Sequence, residues 1–155
     1  TPGLRIFEKY AFKCGGGVNH RMGLYDAAMI KENHIAWTDN LKNAVEKIRL
    51  NSPFTTHIII EAENIEQAKE AVLAGADSIL LDELSPEIIK KSIQELRNLS
   101  INNSNKKVNK NLIIEVSGIN PKEIKKYLIK GIDLISTSSS ITKSNWIDLS
   151  MRYIN

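Results

Sequence analysis

Between Cys14 and Ile35 the chain places Asn19, His20 and Arg21 one residue after three glycines. Another glycine and a short apolar run follow, and that run ends on Lys31, Glu32, Asn33 and His34. Consecutive glycines let the backbone take positive φ and approach another group closely. Two clusters of cationic or hydrogen-bonding side chains on either side of a short strand suit an anion held in a cleft by charge-assisted bonds.

The same polarity recurs downstream. The run DAAMIK ends on Lys31, HIIIE on Glu61 and SILLD on Asp82, while LIIEVSG ends on Glu115, Ser117 and Gly118, and DLISTSSS on Thr137 through Ser140. In parallel α/β folds the C-terminal strand ends form the ligand face. Glu61 and Asp82, from successive strands, can hold Mg²⁺ while a substrate phosphate completes its shell. They can equally stabilise positive charge developing on a sugar. Ser117–Gly118 and Ser138–Ser140 can cradle phosphate with backbone N–H groups. The set describes a small anionic substrate together with a sugar phosphate. Each residue also has a plainer role. Arg21 and Lys31 can be solvated charges, Asp82 can cap the next helix, and His34 can bond within its own loop. Glu8, Glu32 and Cys14 read as structural, and Ser138–Ser140 can be an ordinary polar turn. Joint occurrence at strand ends carries the functional reading.

The elements that must position these groups alternate. Strands are expected at Asp26–Lys31, His57–Glu61, Ser78–Asp82, Leu112–Val116 and Asp133–Thr137, from apolar, often β-branched runs bounded by turn signals. Pro2 opens a helix with Leu4, Phe7 and Tyr10–Ala11 at helical spacing. Thr38 or Asp39 is expected to cap a helix with the apolar stripe Leu41, Ala44, Val45 and Ile48. Asn64, with Gln67 in the capping-box position, starts a helix that Gly75 stops. Ser85–Pro86 opens another, Asn120–Pro121 opens one ended by Gly131, and Trp146 to Ile154 suggests a closing helix. Asn102–Asn111 is expected to be an exposed loop. The turns Ala74-Gly75-Ala76-Asp77 and Lys130-Gly131-Ile132-Asp133 repeat, each leading from a helix end into a strand.

Strict alternation of this kind argues for a parallel sheet. A complete eight-unit barrel needs roughly 250 residues, so 155 residues supply a partial (β/α) TIM-like barrel. No apolar run is long enough to span a membrane, no secretory signal is present, and a net charge of +3 with alternating signs gives no nucleic-acid footprint. A single cysteine excludes an intrachain disulfide framework and points to a reducing cytoplasm.

The segments TPGLRIFEKY, GGGVNHRMGLYDAAMIKENHI, IEAENIEQAKEAVLAGADSILLDE, IIEVSGI and GIDLIS resemble the quinolinate phosphoribosyltransferases of NAD biosynthesis, from the first residue nearly to the last. The resemblance implies transfer of phosphoribose from PRPP to quinolinate with loss of carbon dioxide, giving nicotinate mononucleotide and pyrophosphate. It implies His20, Arg21 and Lys31 as the binders of the quinolinate carboxylates and neighbouring phosphate. Glu61, Asp82 and Lys31 become the catalytic residues, with Mg²⁺ held by Glu61 and Asp82 directly or through water or pyrophosphate. Ser117, Gly118 and Ile119, with Ser138, Ser139 and Ser140, become the phosphate grip. The chain would then be the C-terminal domain of a two-domain enzyme, with the N-terminal α/β sandwich and first barrel strand absent, and little or no transferase activity is expected of it alone. A homodimer or higher homo-oligomer is the family's assembly.

The chain departs from the family pattern in four places, one of them Thr142-Lys143-Ser144 where many members have Thr-His-Ser. The family usually has Leu-Asp-Asn at Leu81-Asp82-Glu83, a second glycine where Ile119 follows Gly118, and Val-Gly-Ala where Thr137-Ser138-Ser139 stands. The alternatives are a related phosphoribosyltransferase or molybdenum-transport-associated paralogue with another acceptor, and a non-catalytic decayed fragment.

Overall fold

The computed structural model describes residues 1–38, 40–103, 112–145 and 147–154. Five strands, β1 (Ala28–Ile30), β2 (Ile58–Ala62), β3 (Ser78–Asp82), β4 (Ile113–Ser117) and β5 (Leu134–Ile135), form one sheet in the order β1-β2-β3-β4-β5. Every pairing is parallel, with Met29 opposite Ile59, Glu61 opposite Leu80, Leu80 opposite Glu115 and Asp82 opposite Ser117. The open α/β sheet of a partial barrel is therefore what forms.

Side chains alternate across each strand, and the two faces differ in kind. Ile30, Ile58, Ile60, Ile79, Leu81, Ile114 and Val116 point to one side and join the main core. Helices α3 (Leu41–Asn51), α4 (Ile65–Ala74) and α5 (Pro86–Asn103) close that core through Val45, Ala68, Val72, Ile89, Ile93 and Leu96. Each fully buried Ile or Leu contributes roughly 1.5–3 kcal/mol relative to exposure, so this helix-covered face holds the sheet together. The opposite face carries only a small apolar cluster, Ala27, Ile59 and Leu80 with Met29 beside it. Glu61, Ser78, Glu115 and Ser117 share this face with Ile113 and Leu134, and no helix of the main core covers it.

Local chemistry explains the boundaries. Asn64 Oδ1 accepts from the Gln67 N–H, and Gln67 Oε1 accepts from the Glu63 N–H. Gly75 ends α4 at φ +89, a left-handed position that glycine occupies without steric cost. The cap of α3 is Asn40, whose Oδ1 accepts from the Asn43 N–H, and not Thr38, which instead donates to the Asn40 carbonyl. Asp39 lies outside the described residues.

Three expectations are corrected. The segment after Asn120 is a 3₁₀ helix, Pro121–Tyr127. Its apolar residues Ile124 and Tyr127 both pack on the core, and three residues per turn aligns positions three apart. The closing helix does not form over residues 147–154, while Trp146 lies outside the described residues. Ile147, Leu149, Tyr153 and Ile154 are all exposed, and a short amphipathic segment with no surface to pack on gains too little to offset helix nucleation. The expected loop at 102–111 begins inside α5, which runs to Asn103, and residues 104–111 lie outside the described set. Helix α1 (Arg5–Cys14) forms, but Phe7 and Tyr10 of its apolar stripe are exposed and it buries no residue.

Candidate functional site

The open face of the sheet, α1 and the glycine-rich loop enclose a cleft of about 930 Å³. His20, Arg21, Lys31, Glu61, Ser117, Ser138 and Ser140 all line it. These residues come from five separate stretches of chain; parallel pairing delivers four of them at the C-terminal ends of strands on one side, and the loop before β1 brings His20 and Arg21 to them.

The loop before β1 is tied down on both sides. Asn19 Nδ2 donates to the Lys9 carbonyl and Lys9 Nζ donates to the His20 carbonyl, fixing the loop to α1. The Arg21 guanidinium donates to the Ala27 carbonyl at 2.8 Å and lies 3.7 Å from the Met29 sulfur. A guanidinium has five N–H donors, so this anchoring leaves others for an anion. Arg21 is thus a partly buried, oriented cation rather than a solvated one.

At the mouth, Lys31 Nζ stands 3.2 Å from Glu61 Oε2. Burial raises the Glu61 carboxyl above its ordinary range, the Lys31 ammonium pulls the other way, and the Asp82 charge adds to the rise. The Lys31 backbone N–H donates to His34 Nδ1, so His34 caps the start of its own short helix, α2 (Glu32–Ala36). Glu8 pairs with the N-terminal amine, a structural role.

Deeper in the cleft, His20 Nε2 lies 3.4 Å from Glu115 Oε2 on β4. Glu115 is the one buried acidic residue among those described, at 3% exposure. Burial pushes its carboxyl up, but hydrogen bonds from His20 and Ser136 and the charge of His20 outweigh it and hold the group below the usual carboxylate range. Glu115 is visible in the sequence as a polar strand residue. Its partner is not, because only the folded loop brings His20 over β4.

Four expected site residues are placed differently from the rest. Asp82 lies outside the cleft wall and faces the β4 turn, its Oδ1 3.5 Å from where a Cβ on Gly118 would stand. It does not cap α5; Ser85 Oγ accepts from the Ile88 N–H there. Gly118 is exposed, at φ +75. The Ile119 side chain is 3% exposed within the main core, and its carbonyl accepts from Thr137 Oγ1, so this residue offers the turn only its backbone N–H. The Ser139 N–H donates to the same Thr137 Oγ1, so this threonine couples the turn after β4 to the turn after β5. Ser139 opens a short helix, α6 (Ser139–Thr142), where an irregular turn was expected.

The family model for the quinolinate phosphoribosyl transferase C-terminal domain matches residues 1–152. The chain belongs to this family. This quinolinate phosphoribosyl transferase domain is 40% identical over 152 residues to a probable nicotinate-nucleotide pyrophosphorylase (carboxylating) of Methanothermobacter thermautotrophicus, covering 97% of the chain and 52% of that relative. It is 36% identical to the Synechocystis protein of the same name, over 99% of the chain and 50% of the relative. Among solved structures, NadC from Streptococcus pyogenes superposes with a TM-score of 0.75 at 38% identity, over 90% of this domain and 45% of that chain. The nicotinate-nucleotide pyrophosphorylase of Francisella tularensis gives 0.76 at 34% identity, over 96% and 48%. The domain spans about half the length of the curated relatives it matches.

Among the described residues no group of three His, Cys, Asp or Glu side chains is placed to hold a metal. Glu61 and Asp82 nevertheless end adjacent strands and repel each other. Two carboxylates of this kind suit Mg²⁺, which keeps several waters and takes its remaining oxygens from a substrate phosphate. Among the described residues no helix is long and apolar enough to cross a membrane.

Proposed function

We propose that this chain forms the acceptor- and donor-binding barrel of a quinolinate phosphoribosyltransferase. Convergence of His20, Arg21 and Lys31 on one cleft with Glu61 carries the reading, because two cations and an imidazole in a confined space match an aromatic dicarboxylate. The two quinolinate carboxylates bind among these groups, and the ring nitrogen is held toward Glu61. The pyridine nitrogen forms a bond to ribose C1 as the bond from C1 to pyrophosphate breaks, so pyrophosphate leaves with the electron pair. Positive charge on the ribosyl ring is met by Glu61 and Asp82, and no side chain acts as nucleophile. The quaternised nitrogen then accepts the electron pair released at C2 as carbon dioxide leaves, and C2 takes a proton from solvent. Prior orientation of the two reactants supplies a large part of the rate.

Glu61 and Asp82 would hold Mg²⁺ directly or through water or pyrophosphate, and the ion would supply countercharge for the pyrophosphate. Ser117, Gly118, Ser138 and Ser140 serve the phosphate. The working protein is cytoplasmic, takes quinolinate and PRPP, and assembles as a homodimer or higher homo-oligomer; because matched relatives are about twice as long, turnover by this chain alone is expected to be negligible. Calorimetric titration checks the reading. Quinolinate should bind and nicotinate, lacking one carboxylate, should bind at least about tenfold more weakly. Equal affinities would overturn the acceptor assignment, and robust turnover of quinolinate with PRPP by the isolated chain would overturn the expectation of inactivity.

A further inference from the structure

Glu115 takes no part in the chemistry just described, although it is a buried acid inside the cleft. A buried ionised carboxylate is costly unless paired and hydrogen-bonded. Its carboxylate is fixed by the backbone of β4, opposite Leu80 on one side and Leu134 on the other. Its only cationic partner among the described contacts is His20, whose side chain is about one-third exposed to the cleft. The residue is therefore placed to act through His20 rather than on substrate.

We propose that Glu115 is the positioning residue for His20, holding the Nε2 proton and so committing the other ring nitrogen, Nδ1, to the dianionic acceptor. This rests on the acceptor reading above. A neutral imidazole that donates from Nε2 has only a lone pair at Nδ1 and would face a carboxylate acceptor to acceptor. Binding the dicarboxylate thus requires the imidazolium, with Glu115 on one side and the substrate carboxylate on the other. Acceptor binding by this pair takes up a proton when it starts from neutral imidazole.

Other charges around the cleft do not replace Glu115. Lys9 on α1 approaches His20 through the His20 carbonyl, and Arg21 is tethered at Ala27. Asp26 accepts from the Met22 N–H, Glu61 is taken by Lys31, and Asp133 by Arg97. Glu8 is held by the N-terminal amine, and Arg5 lines the α1 side of the cleft.

Two measurements on the full chain test this. In a long-range ¹H–¹⁵N spectrum of the free protein, the His20 Nε2 proton should be protected from exchange, and Glu115→Met should abolish that protection. Loss of it in the wild type, or survival in Glu115→Met, overturns the pairing. In calorimetry with quinolinate as probe, Glu115→Gln, which keeps an acceptor without charge, should bind about tenfold more weakly, with the affinity loss on raising pH setting in at lower pH. Glu115→Asp, which restores the charge, should recover part of the affinity. A role confined to packing would lower the thermal midpoint and leave the pH profile in place, and that result overturns the proposal. If the wild type binds no quinolinate, the acceptor reading fails, while the exchange measurement still decides the Glu115–His20 relationship.

Discussion

Asp77 and Asp133 make the same bonds at equivalent places in the fold. Asp77 Oδ2 accepts from the Ile58 N–H at the base of β2 and from Arg49, which also reaches the Gly75 carbonyl. Asp133 Oδ2 accepts from the Ile114 N–H at the base of β4 and from Arg97, which also binds the Gly131 carbonyl. The repeated Gly-x-Asp turns in the sequence are thus two copies of one clamp, set where strands begin, opposite the strand ends that carry Glu61 and Ser117. Arg49 also donates to the Thr56 carbonyl as Arg97 does to the Leu112 carbonyl, and Arg97 differs in reaching Gly131 with a second N–H. Hydrogen bonds to charged groups contribute about 1.5–3 kcal/mol each when buried and less when part-exposed. Arg97→Met is therefore expected to destabilise by about 2–3 kcal/mol, and Arg49→Met by less, in urea unfolding. Equal losses would show that the extra bond contributes nothing.

Glu83 and Gly118 meet across the turns that follow β3 and β4. Glu83 has φ +53 and is the one non-glycine residue with positive φ among those described. A Cβ on Gly118, itself at φ +75, would stand 2.7 Å from Glu83 Cγ. Asparagine tolerates the left-handed region better than glutamate, which gives a physical reason for the Asn that the family places here. Glu83→Asn is expected to stabilise by about 0.5–1 kcal/mol. Gly118→Ala is expected to cost about 1–3 kcal/mol. Thermal unfolding checks both signs.

Glu61 should make the folded chain less stable at neutral pH than a neutral isostere would. Its folded pKa is raised, so between the unfolded and folded values the native state binds more protons, and stability falls as pH rises through that window. The cost is fully present above the folded pKa. Glu61→Gln is therefore expected to raise the thermal midpoint at pH 7, with the two proteins converging in acid. A lower midpoint for the variant at pH 7 would contradict this. Glu115 has the opposite sign: its contribution is present above the unfolded pKa and is lost as pH falls through the depressed folded value.

Chelation should separate the two ligands. Under the proposed function the dicarboxylate would meet His20, Arg21 and Lys31, whereas the pyrophosphate of PRPP would meet carboxylates that repel it without a cation. EDTA is expected to abolish PRPP binding and leave quinolinate affinity within about twofold. Lys31→Ala should instead weaken quinolinate by roughly tenfold or more, measured by the same titration.

Much of this arrangement was legible in the sequence, for identifiable reasons. Strands such as Ile58–Ala62 and Ser78–Asp82 announce themselves because one face packs under helices and the other starts apolar, so β-branched runs stand between clear turn signals. Helix α4 was legible at both ends because Asn64 and Gly75 each perform a backbone task that few residues can. The placement of the candidate residues was legible where strand ends dictate position, as with Lys31, Glu61 and Ser117. It was not legible where tertiary packing decides. Ile119 follows a phosphate-like Ser-Gly turn yet drops into the core, and Asp82 rotates toward Gly118. The pairing of His20 with Glu115 depends on a loop whose course Lys9 and Asn19 fix from α1. Residues 147–154 carry a helical pattern but no surface to receive it.

The strand order carries a consequence for how the molecule comes into being. Each strand hydrogen-bonds to the one before it in sequence, so every pairing is closed by a single crossover and none waits for a segment far along the chain. Loop-closure entropy is paid in small steps. A polypeptide leaving the ribosome can add each strand–helix unit to a finished edge, and the Arg97 clamp, which needs Leu112, Gly131 and Asp133 together, should be the last to lock. Pulsed hydrogen exchange during refolding should accordingly protect the Ile60 and Ile79 amides before those of Asp133 and Ser136.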